Sequence, residues 1–154
     1  MTALAVGERV TAFDGVNQFG QPLKIGEGSP WLVFFYPFAF TGICSSELRM
    51  LEDMRKPLRD LGVRVAAVSC DSMFALRVFA DAEHFSIDLV SDHWPHGEIA
   101  AQFGVFDDRR GCARRGSFLL DADQTVRWRT VQDLGQPRDL AAHFTAARTM
   151  VTAA

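Results

Sequence analysis

The pattern of apolar and polar positions divides this chain into short, distinct elements. Trp31-Leu32-Val33-Phe34-Phe35-Tyr36 is apolar at every position and rich in aromatic residues, which predicts a strand buried on both faces. Pro37 ends it. Within 44–61, Leu48, Leu51, Met54, Leu58 and Leu61 recur at spacings of three and four, with charged residues between them, which predicts an amphipathic helix. Thr41 stands where it can cap that helix, and Pro57 predicts a kink because it cannot donate to the carbonyl of Asp53. The pattern then predicts a strand over 63–69, a short helix over about 72–83, a strand over 87–90 and a short helix over 96–103. Residues 117–121 and 125–129 flank a turn and pair as a hairpin. A last helix runs from Pro137 to about Met150, apolar at Leu140, Phe144 and Ala147. Asp14-Gly15 and the stretch 17–20 are turn signals, so residues 1–26 read as an extended, hairpin-rich cap.

The order is hairpin region, β, α, β, α, β, α, β, β, α. The fold class is therefore α/β, and these elements are buried most economically in a central, mostly parallel sheet with an antiparallel hairpin at its end and helices on both faces. That layout matches the thioredoxin-like fold. Element order alone also admits other small α/β sheets. A chain of 154 residues buries roughly 70% of its unfolded surface and needs no staples, so 1–154 reads as a single domain.

Composition narrows the function. The net charge of -3 argues against a protein built to neutralise a phosphate backbone. Arg109, Arg110, Arg114 and Arg115 cluster and could hold an anion, but the cluster is short and lacks interleaved aromatics for base stacking, so no nucleic-acid partner is expected. No apolar stretch is long enough to span a membrane, and residues 1–12 lack the pattern of a secretory leader. Three cysteines, an odd number, suit a reducing compartment, so a cytoplasmic location is expected.

Cys44 falls at the junction between the most hydrophobic strand and the first long helix. With Thr41 as N-cap, its sulfur lies in the first turn among amides without intrahelical acceptors, where the helix's positive end favours a thiolate. Such a cysteine could be a redox thiol, an acyl-transfer nucleophile or a metal ligand. A C-x-x-C pair is absent, since Thr41 and Glu47 occupy the positions three before and three after. His84, His93, His96 and His143 offer no obvious orienting partner, and Cys44, Cys70, Cys112, His93 and His96 show no recognised metal spacing, so neither metal nor cofactor is expected. A redox thiol asks least of the remaining chain. Glu47, one turn on, would oppose a thiolate unless an arginine joins the group.

Pro37-Phe38-Ala39-Phe40-Thr41-Gly42-Ile43-Cys44 resembles the peroxiredoxin signature of proline, three residues, threonine, two residues and cysteine. The resemblance extends over 68–72, 89–92, 103–105 and 115–121, and with 92–97 it looks most like the one-cysteine AhpE-type peroxiredoxins of actinobacteria. It implies a thiol-dependent peroxidase in which Cys44 attacks a hydroperoxide and becomes a sulfenic acid. Thr41 would bond the peroxide, Pro37 shield the pocket, Arg115 stabilise the reacting charge and Glu47 orient Arg115. Recycling would use an external thiol or a glutaredoxin- or thioredoxin-like reductant, because Arg49 stands where some relatives place a resolving cysteine and no C-terminal cysteine follows. Cys70 and Cys112 read as small buried hydrophobes, with an atypical two-cysteine mechanism through either kept as an alternative. A redox sensor or holdase would use the same pocket. Phe38, Phe40, Trp94 and Pro95 are apolar residues in loops and, with the resemblance, imply a homodimer paired around Cys44.

Overall fold

A computed structural model of the chain describes residues 2–153. Its elements are β1 (Phe13–Val16), β2 (Pro22–Ile25), β3 (Trp31–Phe35), α1 (Gly42–Asp60), β4 (Arg64–Ser69), α2 (Met73–Glu83), β5 (Asp88–Ser91), α3 (Glu98–Gln102), β6 (Phe106–Asp107), β7 (Cys112–Ala113), β8 (Arg115–Leu120), β9 (Val126–Gln132) and α4 (Leu140–Ala153). The main sheet runs β5-β4-β3-β8-β9. β3 pairs with β4, and β4 with β5, in parallel, while β3–β8 and β8–β9 are antiparallel. This is a thioredoxin-like α/β arrangement, a central sheet flanked by helices.

β3 occupies the middle and is buried throughout, which is why its sequence shows no alternation. Its two faces nevertheless serve different layers. Leu32 and Phe34 pack with Leu48, Leu51 and Leu58 of α1, Leu76 and Phe79 of α2, and Leu140 and Ala147 of α4. Trp31, Val33 and Phe35 pack on the other side with Ile99 and Ala100 of α3 and with Ile25 of the β1–β2 hairpin. That hairpin forms a small separate sheet seated close on β5, where a Cβ on Gly15 would come within 2.8 Å of Val90.

Several boundaries depart from the sequence pattern. α1 begins at Gly42, where Thr41 as N-cap puts it, but continues through Pro57 and ends at Asp60, one residue short of Leu61. α4 begins at Leu140, with Asp139 capping the amide of Ala142, because the backbone of Arg138 is held elsewhere. The two-residue strands β6 and β7 form a ribbon too short for periodicity to reveal, and β7 carries Cys112. Among the described residues no helix is long and apolar enough to cross a membrane.

Candidate active site

The chain leaves β3 at Phe35 and reaches α1 through a turn that contains Pro37, which is buried. Asp71, just past β4, anchors this turn by accepting from the amide of Ala39 at 2.9 Å and from the hydroxyl of Ser69 at 2.7 Å. Phe40 has φ of 67°, a left-handed backbone that is uncommon for a bulky residue, and its ring packs 4.9 Å from that of Phe79. Thr41 is the N-cap of α1 by backbone conformation, and its carbonyl accepts from Ser45. Its hydroxyl does not cap. It donates instead to the carbonyl of Phe38 at 2.8 Å, so the expected side-chain cap is absent and the first-turn amides are left free of it.

Cys44 is the third residue of α1 and fully buried. Glu47 lies one turn on, inside the helix's apolar stripe and only 3% exposed. Arg115 opens β8, where alternation places it on the same sheet face as Ser117 and Leu119, toward α1. Its Nη1 donates to both Cys44 Sγ at 3.3 Å and Glu47 Oε1 at 2.9 Å, while Nε donates to the carbonyl of Leu134 at 2.7 Å. Among the described residues Nη2 has no acceptor. Arg114, its sequence neighbour, is not part of this cluster.

A second arginine completes the group. Arg138 donates to Glu47 Oε2 from its backbone amide at 2.7 Å and from Nε at 3.0 Å, and to Oε1 from Nη2 at 2.8 Å. Its Nη1 reaches the carbonyls of Phe35 and Gly116 and the hydroxyl of Ser117, and the guanidinium stacks 3.6 Å over the ring of Phe34. Burial alone would push the Glu47 carboxyl up, but hydrogen bonds and charge from Arg138, with Arg115 behind it, hold it below the usual carboxylate range. Burial pulls the Arg138 guanidinium down from its ordinary value, and Glu47 opposes that pull. One carboxylate therefore faces two guanidiniums beside a sulfur atom. No local pattern marks Arg138 in the sequence; the available signal was a carboxylate inside an apolar stripe, which requires buried cations without saying how many.

Neither of the other two cysteines shares these hydrogen bonds, although Cys112 lies near enough to feel the charge of Arg115. Burial first, then the Asp92 carboxylate, pushes the Cys70 thiol up to about 12, and burial likewise raises Cys112. Among the described residues no three His, Cys, Asp or Glu side chains are grouped to hold a metal ion. A pocket of about 280 Å³ lies against the first turns of α1, with Ile43, Met50 and Pro137 as apolar lining and Glu47 and Arg138 in its wall.

The fold and this thiol, carboxylate and guanidinium cluster define a thioredoxin-like protein with a cysteine at the head of its first long helix. The AhpC/TSA family model matches residues 6–129, and the chain belongs to that family, the peroxiredoxins. Alkyl hydroperoxide reductase E of Mycobacterium tuberculosis (strain ATCC 25618 / H37Rv) is 34% identical over 108 residues, 70% of this chain and 71% of the relative. Alkyl hydroperoxide reductase C of Staphylococcus aureus (strain NCTC 8325 / PS 47) is 32% identical over 142 residues, 90% and 71% respectively. Among solved structures, peroxidoxin BcpB from Mycobacterium tuberculosis is similar with a TM-score of 0.83 and 27% identity, over 94% of this chain and 97% of that one. AhpC of Enterococcus faecalis gives 0.81 and 25%, over 96% and 94%.

Membership carries the family's general thiol-based peroxidase activity, an oxidoreductase role with a peroxide substrate and a thiol-based reductant. The narrower placement with the one-cysteine AhpE-type subgroup does not stand. The chain has three cysteines, Cys44, Cys70 and Cys112, rather than the single-cysteine pattern, and the matching family is the broad one.

Proposed function

We propose that Cys44 is the peroxidatic thiol and that the chain reduces hydrogen peroxide and organic hydroperoxides, with an external thiol closing the cycle. The observation that carries this reading is the Nη1 of Arg115 shared between Cys44 Sγ and Glu47 Oε1. With one negative and two positive side chains around it, a thiolate on Cys44 balances the buried charge.

The thiolate attacks the distal oxygen of the hydroperoxide, the S–O bond forms as the O–O bond breaks, and the departing alkoxide, or hydroxide from hydrogen peroxide, takes a proton from solvent to leave an alcohol or water. Cys44 is left as a sulfenic acid. Negative charge spreads from sulfur over two oxygens during this step, so donors already aligned there lower the barrier. Arg115 supplies them: Nη1 holds the sulfur end, and Nη2 is available to the peroxide oxygens. Glu47 keeps the guanidinium flat against the site, and Arg138 keeps Glu47 ionised and fixed. Thr41, whose own proton is committed to Phe38, accepts the O–H of the incoming peroxide. Pro37 closes the pocket to bulk water.

A thiol then attacks the sulfenic sulfur, releasing water and forming a mixed disulfide, and a second thiol releases Cys44. Burial holds Cys70 and Cys112 as protonated thiols, which attack poorly, and this favours an external reductant over either of them. The same reading places a homodimer contact at the loops around Cys44, where Phe38, Phe40 and Trp94 are 43%, 58% and 85% exposed.

Peroxide consumption, measured with low-molecular-weight thiols, a glutaredoxin and a thioredoxin in turn, tests the proposal. Cys44→Ser abolishes turnover, while Cys70→Ser and Cys112→Ser stay within a few-fold of the parent. A Cys44→Ser protein that still consumes peroxide refutes the assignment, and a stoichiometric intramolecular disulfide on non-reducing peptide mapping refutes external resolution.

A further inference from the structure

Behind the arginine pair, a histidine and a serine outside the proposed chemistry are buried in hydrogen-bond contact. His143 is 1% exposed and Ser117 is fully buried, yet neither hydrogen-bonds Cys44. Ser117 Oγ lies 2.7 Å from His143 Nε2 and 3.1 Å from Nη1 of Arg138, and His143 Nδ1 lies 2.8 Å from the carbonyl of Asp139. The ring is wedged between Trp128 and Phe34, at centroid distances of 4.8 and 5.6 Å.

The direction of every bond in this chain is set by its two ends. A guanidinium can only donate, so Ser117 Oγ accepts from Arg138 and its own proton must go to the remaining neighbour, Nε2 of His143. A backbone carbonyl can only accept, so Nδ1 of His143 carries the ring's proton and gives it to Asp139. Nε2 is thereby bare and able to receive the serine proton. The imidazole is thus neutral and held in one tautomer by partners that cannot reverse, and burial works the same way, pulling its pKa to about 4.

We propose that His143 and Ser117 are positioning residues for the thiol: together with the carbonyls of Phe35 and Gly116 they fix one end of the Arg138 guanidinium, whose other end fixes Glu47, which in turn fixes Arg115 on Cys44. This rests on Cys44 being the reacting thiol and adds two residues that never meet the peroxide. Geometry makes the coupling direct, because Arg138 is a rigid planar fork and a rotation at Nη1 displaces Nε and Nη2 on the carboxylate. Losing the serine hydroxyl removes one of the three acceptors on Nη1, so that only the carbonyls of Phe35 and Gly116 set its position, and leaves a bare Nε2 buried without a donor.

The test joins the ring's protonation state to the rate of Cys44 oxidation. Nitrogen-15 correlation spectra of the parent at pH 7 show His143 as the neutral Nδ1–H tautomer; an Nε2–H or doubly protonated ring overturns the proposal without any variant. In Ser117→Ala the Nδ1–H tautomer persists, because the carbonyl of Asp139 still takes that proton, but stopped-flow oxidation of Cys44 by hydrogen peroxide slows about tenfold, while Ser117→Thr restores the rate. His143→Phe, which keeps the ring volume, slows oxidation similarly. A purely structural role would lower the melting temperature and leave the oxidation rate of the folded protein untouched. Folded Ser117→Ala and His143→Phe proteins that oxidise within twofold of the parent overturn the relay. A parent whose Cys44 does not react with peroxide instead overturns the reading of the site beneath it.

Discussion

Arg138 holds Glu47 through three hydrogen bonds, two to Oε2 and one to Oε1, in a pair that is almost entirely buried. A buried carboxylate loses its hydration, and only close, multiple donors make that tolerable. Glu47→Gln keeps the shape but leaves two guanidiniums facing a neutral amide, and Arg138→Met leaves Glu47 with Arg115 alone. Each variant should lose about 3–5 kcal/mol of stability in urea unfolding with an unchanged m value.

Arg115 is expected to act through the placement of its donors rather than through charge alone. Arg115→Lys retains the charge but cannot hold Cys44, Glu47 and Leu134 at once, so stopped-flow oxidation of Cys44 should slow by about 10²–10³, equivalent to about 3–4 kcal/mol. Arg114→Ala should stay within a few-fold of the parent. Lysine at 115 reacting at the parental rate would remove this residue from the site.

Two buried groups give the stability a pH dependence of opposite sign. Burial lowers His143 from 6.5 to about 4, so between those values the unfolded chain binds more protons and stability falls as pH drops. Burial raises Asp92 from 3.8 to about 6, against the amides of Ile99 and Ala100, so over that window the native state binds more protons and stability falls as pH rises. Each is worth about 3 kcal/mol across its window, and they nearly cancel. Denaturant unfolding from pH 4 to 6.5 should be almost flat for the parent. Asp92→Asn should become less stable toward pH 4, and His143→Gln less stable toward pH 6. Glu47 acts lower still: its depressed carboxyl contributes stability above about 4.5 that is lost as pH falls through its folded value.

Trp94 projects from the loop before α3 with most of its ring in solvent. Analytical ultracentrifugation should find a dimer, and Trp94→Arg should weaken it strongly because a two-fold contact meets each substitution twice. A monomer at high micromolar concentration removes the dimer from the proposal. A dimer unmoved by Trp94→Arg places the contact elsewhere.

The local part of this protein is written in the order of its residues. The uniform apolarity of 31–36 determines a central strand, the three-and-four spacing from Leu48 to Leu58 determines the long helix, and together they set Cys44 at a helix start. Those are short-range consequences of backbone geometry and of the need to bury one face, and they need no knowledge of what lies across the sheet. Glu47 was legible as a carboxylate in want of a cation, and the register of Arg115 at the start of its strand was legible through the family motif. What the linear order could not supply is which side chains meet. Arg138 lies 91 positions from Glu47, Arg115 lies 71 from Cys44, and Ser117 lies 26 from His143, contacts that exist only because β8 pairs beside β3 and α4 packs over that face. The start of α4 only at Leu140 was likewise decided there, because Glu47 holds the backbone of Arg138. Each reflects a buried polar group taking the partner that the packed structure brings within reach, a choice made by distance in space rather than by spacing along the chain.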